Sequence, residues 1–73
     1  MLDPFSVRAK GEEILRRELG ALRAWHLRNI VHAYALADEH RVDLEALEEP
    51  ELVELIVEAT RERPDGGPAP PSS

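Results

Sequence analysis

Apolar side chains recur at helical spacing through the stretch 26–59. Leu27, Ile30, Val31, Tyr34 and Ala37 fall at i, i+3, i+4, i+7 and i+10, a single stripe along a helix. Arg28, Asn29 and His32 sit off that stripe, and Leu36 widens it. The spacing predicts a helix over about residues 24–38, closed by the polar cluster Asp38-Glu39-His40-Arg41. Val42-Asp43-Leu44 then alternates apolar and polar. It is too short for a stable strand and reads as an extended link that drops Val42 and Leu44 into the core, with Leu47 a helical turn further on. A last stripe of Leu52, Leu55, Ile56 and Ala59, flanked by Val53 and Val57, predicts a helix over about residues 50–62. Pro50 suits its first position, where an N–H has no partner inside the helix. Glu48, Glu49, Glu51 and Glu54 favour the positive end of its dipole, and Arg61 and Arg63 the negative end. Pro64 stops it.

Upstream the pattern is looser. Val7, Ile14, Leu15, Leu19 and Leu22 follow helical spacing from an Asp3-Pro4 start, with Ser6 as a rival cap, and predict a helix over about residues 4–20. Gly11 and Gly20 each cost about 1 kcal/mol relative to alanine inside a helix, so this element is the weakest of the three. Gly20 marks its end, or the helix runs on through Trp25, since Ala21 to Ala37 holds no strong breaker. Residues 6–37 are therefore one helix or two. The segment 64–73, PDGGPAPPSS, has nothing apolar enough to anchor it and is expected to be disordered. The expected fold is all-α: a small three-helix domain over residues 1–63 with a helix–extended loop–helix unit and a disordered C-terminal tail.

Composition narrows the chemistry. A chain of 73 residues has a thin core, burying only about 60% of the surface its unfolded form exposes. With no cysteine, neither a disulfide nor a thiolate can support it. Stability has to come from helix packing, with a helical homodimer as one way to bury leftover apolar surface. No apolar run nears the ~20 residues of a membrane span. The N-terminus lacks the apolar region of a signal peptide, so a soluble cytoplasmic protein with no membrane partner is expected. The net charge of −6 is unevenly spread. Residues 1–41 carry seven Lys/Arg against six Asp/Glu, and residues 42–63 two Arg against eight acids. The acidic half would repel a polyanion, leaving any such contact to the first half.

Leu22, Leu27-Arg28-Asn29-Ile30-Val31, Tyr34-Ala35-Leu36, Val42-Asp43-Leu44, Leu47 and Pro50-Glu51-Leu52-Val53-Glu54-Leu55-Ile56 resemble the helix–extended loop–helix of SAP domains. The N-terminal subdomain of the transcription terminator Rho is similar. In those families a leucine precedes a helix of the type LRxIA, and KxELI opens the next one. The likeness covers about residues 22–59 and rests mostly on leucine spacing. It implies a nucleic-acid-associated binding module. Where such modules place positive residues, this chain has Glu48, Glu49, Pro50 and Glu51, so a DNA or RNA contact would fall to Arg23, Arg28, His32 and Arg41 on a different face.

Arg16 joins those four as a candidate, since Arg16 and Arg23 are seven apart and align on a continuous helix. The plainer reading of Arg16 is a surface pair with Glu12 at i, i+4. Candidate protein-interface residues are Phe5 and Leu15, on the face of the weak first helix, and the single tryptophan, Trp25. No metal or other cofactor is expected: His26, His32 and His40 lack ligand spacing. Glu51, Glu54 and Glu58 share one outward helix face, without the pocket that an acid–base pair needs. The chain therefore reads as a non-catalytic binding module, nucleic-acid-associated by resemblance, or alternatively as a protein–protein adaptor or homodimer.

Overall fold

The computed structural model describes residues 2–62, and every regular element among them is helical. The expected tail over 64–73, with Arg63, lies outside the described residues. Asp3 starts the first element, α1 (Pro4–Arg8), by accepting from the Phe5 and Ser6 amides at 3.0 and 3.3 Å. Ser6 does not compete for the cap; its hydroxyl donates to the other Asp3 oxygen at 3.0 Å.

The single helix predicted over 4–20 is two, α1 and α2 (Glu12–Gly20). The break is Gly11, with φ 136° and ψ 143°. A Cβ makes that region of backbone space strained, so glycine alone takes it readily. A second break at Ala21–Arg23 separates α2 from α3 (Ala24–Tyr34), so residues 6–37 hold three helices in place of one or two.

Helix α3 ends at Tyr34, four residues before the predicted boundary. Ala35 turns left-handed at φ 51° and ψ 50°. The Leu36 amide returns to the Val31 carbonyl at 3.0 Å and the Ala35 amide to that of His32 at 3.3 Å. This is a Schellman closure, completed by burial of both Val31 and Leu36. The link that follows is looped back at Asp38, whose carbonyl accepts from Arg41 and Val42 at 2.9 Å each. Asp43 is extended and caps a 3-10 turn over Leu44–Ala46 by accepting from the Glu45 amide at 3.1 Å. Val42 and Leu44 pack on the core as the alternation predicts, but Leu44 does so from the 3-10 turn and not from an extended link.

Helix α4 (Glu49–Glu62) is the longest element. At its start the Glu51 carboxylate accepts from the Glu48 amide at 2.9 Å, the returning half of a capping box. It packs against α1, α2 and α3 alike. Leu15 and Leu19 from α2, Leu27, Ile30 and Val31 from α3, and Leu52, Ile56 and Val57 from α4 form the core, all at 1% exposure or less. Phe5 meets the Tyr34 ring edge-on at 5.8 Å, which ties α1 to α3.

The two left-handed positions give opposite expectations. Ala35→Gly removes a strained Cβ and should stabilise the fold by up to about 1 kcal/mol. Gly11→Ala should destabilise it by about 1–3 kcal/mol. Urea unfolding followed by circular dichroism reads both; equal midpoints for the two variants would contradict the assigned backbone.

Candidate functional site

The arginines of the first half are mostly spent on carboxylates. Glu12, at the start of α2, receives Arg8 Nη2 at 3.0 Å, Arg61 Nη2 at 2.7 Å and Arg16 Nε at 3.5 Å. Arg16 also grips Glu54 of α4 with both terminal nitrogens, and Arg61 pairs with Glu58 at 2.8 Å. Arg8 reaches further: its Nη1 donates to the Val57 carbonyl at 3.0 Å and to the Thr60 hydroxyl at 3.2 Å. Thr60 is fully buried and donates back to the Ile56 carbonyl at 2.8 Å. The result is an ionic seam that binds α1 and α2 to α4. Hydrogen bonds from Arg61 and Arg8 hold the Glu12 carboxyl down to about 2, and the Arg16 guanidinium holds that of Glu54 below the usual range.

The nucleic-acid candidates divide. Arg16 lies in the seam, and its expected pairing with Glu12 is present. Its alignment with Arg23 depended on a continuous helix, which ends at Gly20. Arg23 is exposed at the start of α3 and offers no side-chain cap. Arg28, His32 and Arg41 do come together, lining a pocket of about 340 Å³ with His40, Glu39, Asp43 and Glu45. Each has a carboxylate beside it. His32 Nδ1 meets Glu39 at 2.8 Å, while Arg28–Glu45 and Arg41–Asp38 are looser at 3.9 Å. Among the described residues no group of three or more His, Asp or Glu could hold a metal ion.

The interface candidates divide too. Leu15 is corrected: it is wholly enclosed in the chain's own core and has no surface to offer a partner. Phe5 is half-buried against Tyr34. Trp25 is 54% exposed, the one large apolar side chain left open among the described residues. It sits in the first turn of α3, its ring 3.7 Å from that of His26. His26 is half-buried, and its Nδ1 is enclosed with no hydrogen-bond partner among the described residues.

Beside this turn lies a feature the sequence reading missed. The C-terminal end of α2 and the N-terminal end of α4 frame an apolar groove of about 340 Å³, lined by Leu19, Gly20, Leu22, Pro50 and Val53, with Glu49 and Glu54 on it. Glu49 also accepts the Ala24 amide at 3.0 Å, so a carboxylate from α4 caps α3 across the groove's end. Leu22 and Val53 belong to helix stripes, and stripes alone do not say where two helix ends part. No protein-family model matches this chain, and neither does any curated protein or solved structure. Among the described residues no helix is long and apolar enough to cross a membrane.

The seam sets an acid limit on stability. Glu12 titrates lower in the folded chain than its ordinary 4.5, so its contribution is complete above about 4.5 and is lost as pH falls toward about 2. Unfolding midpoints should therefore drop across that window. Glu12→Gln should lower stability at neutral pH and flatten the drop; an acid limb as steep as in the parent chain would place the titrating group elsewhere.

Proposed function

We propose that this chain is a non-catalytic, cytoplasmic helical module that binds another protein through the face bearing Trp25. The exposure of that ring carries the reading. Leu27, Ile30 and Val31 of the same helix are buried, while Trp25 is the one large apolar side chain exposed among the described residues. Its backbone is held: Ala24, just before it, is capped by Glu49, and its ring rests on His26. An aromatic ring fixed on a helix and facing water can enter a partner's pocket with little ordering to undergo, which is why tryptophan is enriched among interface hot spots.

A second reading, contact with DNA or RNA, draws on the likeness to SAP and Rho N-terminal domains and on the meeting of Arg28, His32 and Arg41 at one pocket. To grasp phosphate these side chains would first leave Glu45, Glu39 and Asp38. The chain's acid excess opposes approach of a polyanion as well. The protein-binding reading has neither obstacle.

A photo-crosslinking residue in place of Trp25, carried by the full chain in its native cells, separates the two. The expected product is a discrete protein adduct that survives nuclease, with none from the same label at exposed Lys10. An adduct with a second copy would make the module a homodimer. Absence of an adduct at position 25 removes the reading. Binding of labelled DNA or RNA at ~50 mM salt that is lost on Arg28→Glu and Arg41→Glu would replace it with the second.

A further inference from the structure

We propose that the groove between the end of α2 and the start of α4 seats an apolar side chain of a basic amphipathic helix. The proposal rests on the protein-binding reading and adds the chemistry of the partner. The groove's lining is mostly apolar: fully buried Leu19 with half-buried Leu22 and Val53 and exposed Pro50, beside Glu49 and Glu54. Its volume of about 340 Å³ admits an apolar side chain from a helix laid across it, a recurrent mode of peptide recognition.

Charge selects the kind of helix. Glu48, Glu49 and Glu51 crowd the α4 end, all exposed and none in an ion pair among the described residues. Glu49 is doubly placed, capping Ala24 and bordering the groove. Glu54 is already neutralised by Arg16 and adds little. Three carboxylates within four positions repel one another, and lysines or arginines on a docked helix relieve that repulsion. An acidic helix would add to it. The partner's basic residues therefore lie over the start of α4, with its apolar side chain between Leu22 and Val53.

Gly20 supplies a blocking variant that leaves the fold intact. It borders the groove, its φ is not left-handed, and a Cβ built there meets nothing within 4 Å. Gly20→Gln thus adds a bulky side chain at the groove's rim, at a helical position where glycine is the poorer residue. Glu49→Gln keeps an acceptor for the Ala24 amide and removes the charge.

The probe is a synthetic Leu/Lys amphipathic helix with leucines at i, i+3, i+4 and i+7, beside a Leu/Glu twin of the same pattern. Each is titrated by fluorescence anisotropy into the full chain at ~100 mM salt. The Leu/Lys helix is expected to bind at least about tenfold more tightly than its twin. Gly20→Gln should weaken it by about tenfold with the thermal midpoint unchanged or raised, and Glu49→Gln by a few-fold for the Leu/Lys helix alone. Equal binding of the twins, or Leu/Lys binding unmoved by Gly20→Gln, overturns the proposal. So does a failure of both helices to bind, or a dimer of the chain that Gly20→Gln dissolves. Should the helices fail while the label at Trp25 still crosslinks a protein, the partner chemistry is wrong and the protein-binding reading stands; failure of both experiments removes both.

Discussion

Helices α1, α2 and α3 are all fastened to α4. Leu52, Ile56 and Val57 carry no exposed surface, and α1, α2 and α3 all pack on the helix that bears them. Full burial of such a side chain contributes about 1.5–3 kcal/mol, while a whole domain is stable by only about 5–15 kcal/mol. A few contacts on α4 therefore decide whether the chain folds. The pieces laid against it have little stability of their own. Helix α1 is five residues long, below the length at which a helix survives alone in water. It exists because Asp3 caps it, Phe5 meets Tyr34, and Arg8 ties it to the Val57 carbonyl and the Thr60 hydroxyl near the end of α4.

Burial and charge occupy different sides of the same helix. The seam of Arg8, Glu12, Arg16, Glu54, Glu58 and Arg61 runs over α2 and α4 where both face water. Single exposed ion pairs contribute little, about 0–1 kcal/mol, because water screens them and long side chains lose freedom. This seam differs in sharing Glu12 among three arginines, so one carboxylate, once placed, serves several partners. Its main effect is on register. Arg16–Glu54 and Arg61–Glu12 join residues far apart in sequence, and both form only with α2 set at one height against α4.

The parts legible in the sequence are those governed by local periodicity. The stripes of Leu27, Ile30 and Val31 and of Leu52 and Ile56 are buried as their spacing requires, and Val42 and Leu44 reach the core, Val42 from the link and Leu44 from the 3-10 turn that follows it. The helix ends were less legible, for two reasons. Gly11 was visible as a weak point, but a glycine within a helical pattern is equally a tolerated defect, and only the left-handed φ shows that it breaks the helix. Ala35 gave no signal at all, because alanine is the best helix former and is found in a left-handed closure only when burial of Leu36 against Val31 outweighs the strain. Among the candidate site residues, Arg28, His32 and Arg41 meet because the link folds back on α3, and Arg16 is drawn away by Glu54, a partner 38 positions on. Leu15 falls on the apolar face of a weakly patterned helix, yet it is wholly buried within the chain.

The arrangement of the two helix ends follows from the same economy of contacts. Arg23 has no side-chain oxygen with which to cap α3, so the free amide of Ala24 needs an acceptor from elsewhere. Glu49 supplies it from the first turn of α4, which draws the two N-termini together. Two positive dipole ends in proximity repel, and the carboxylates Glu48, Glu49 and Glu51 offset that repulsion. The acidic edge of the groove thus has a structural cause before it has any role in recognition. The same cause leaves Leu22 and Val53 half-covered and Trp25 facing water at the neighbouring turn. Three exposed carboxylates are more than the one amide requires, since Glu49 alone accepts it and Glu51 serves Glu48. The negative charge that answers the two helix starts also borders the apolar groove, through Glu49.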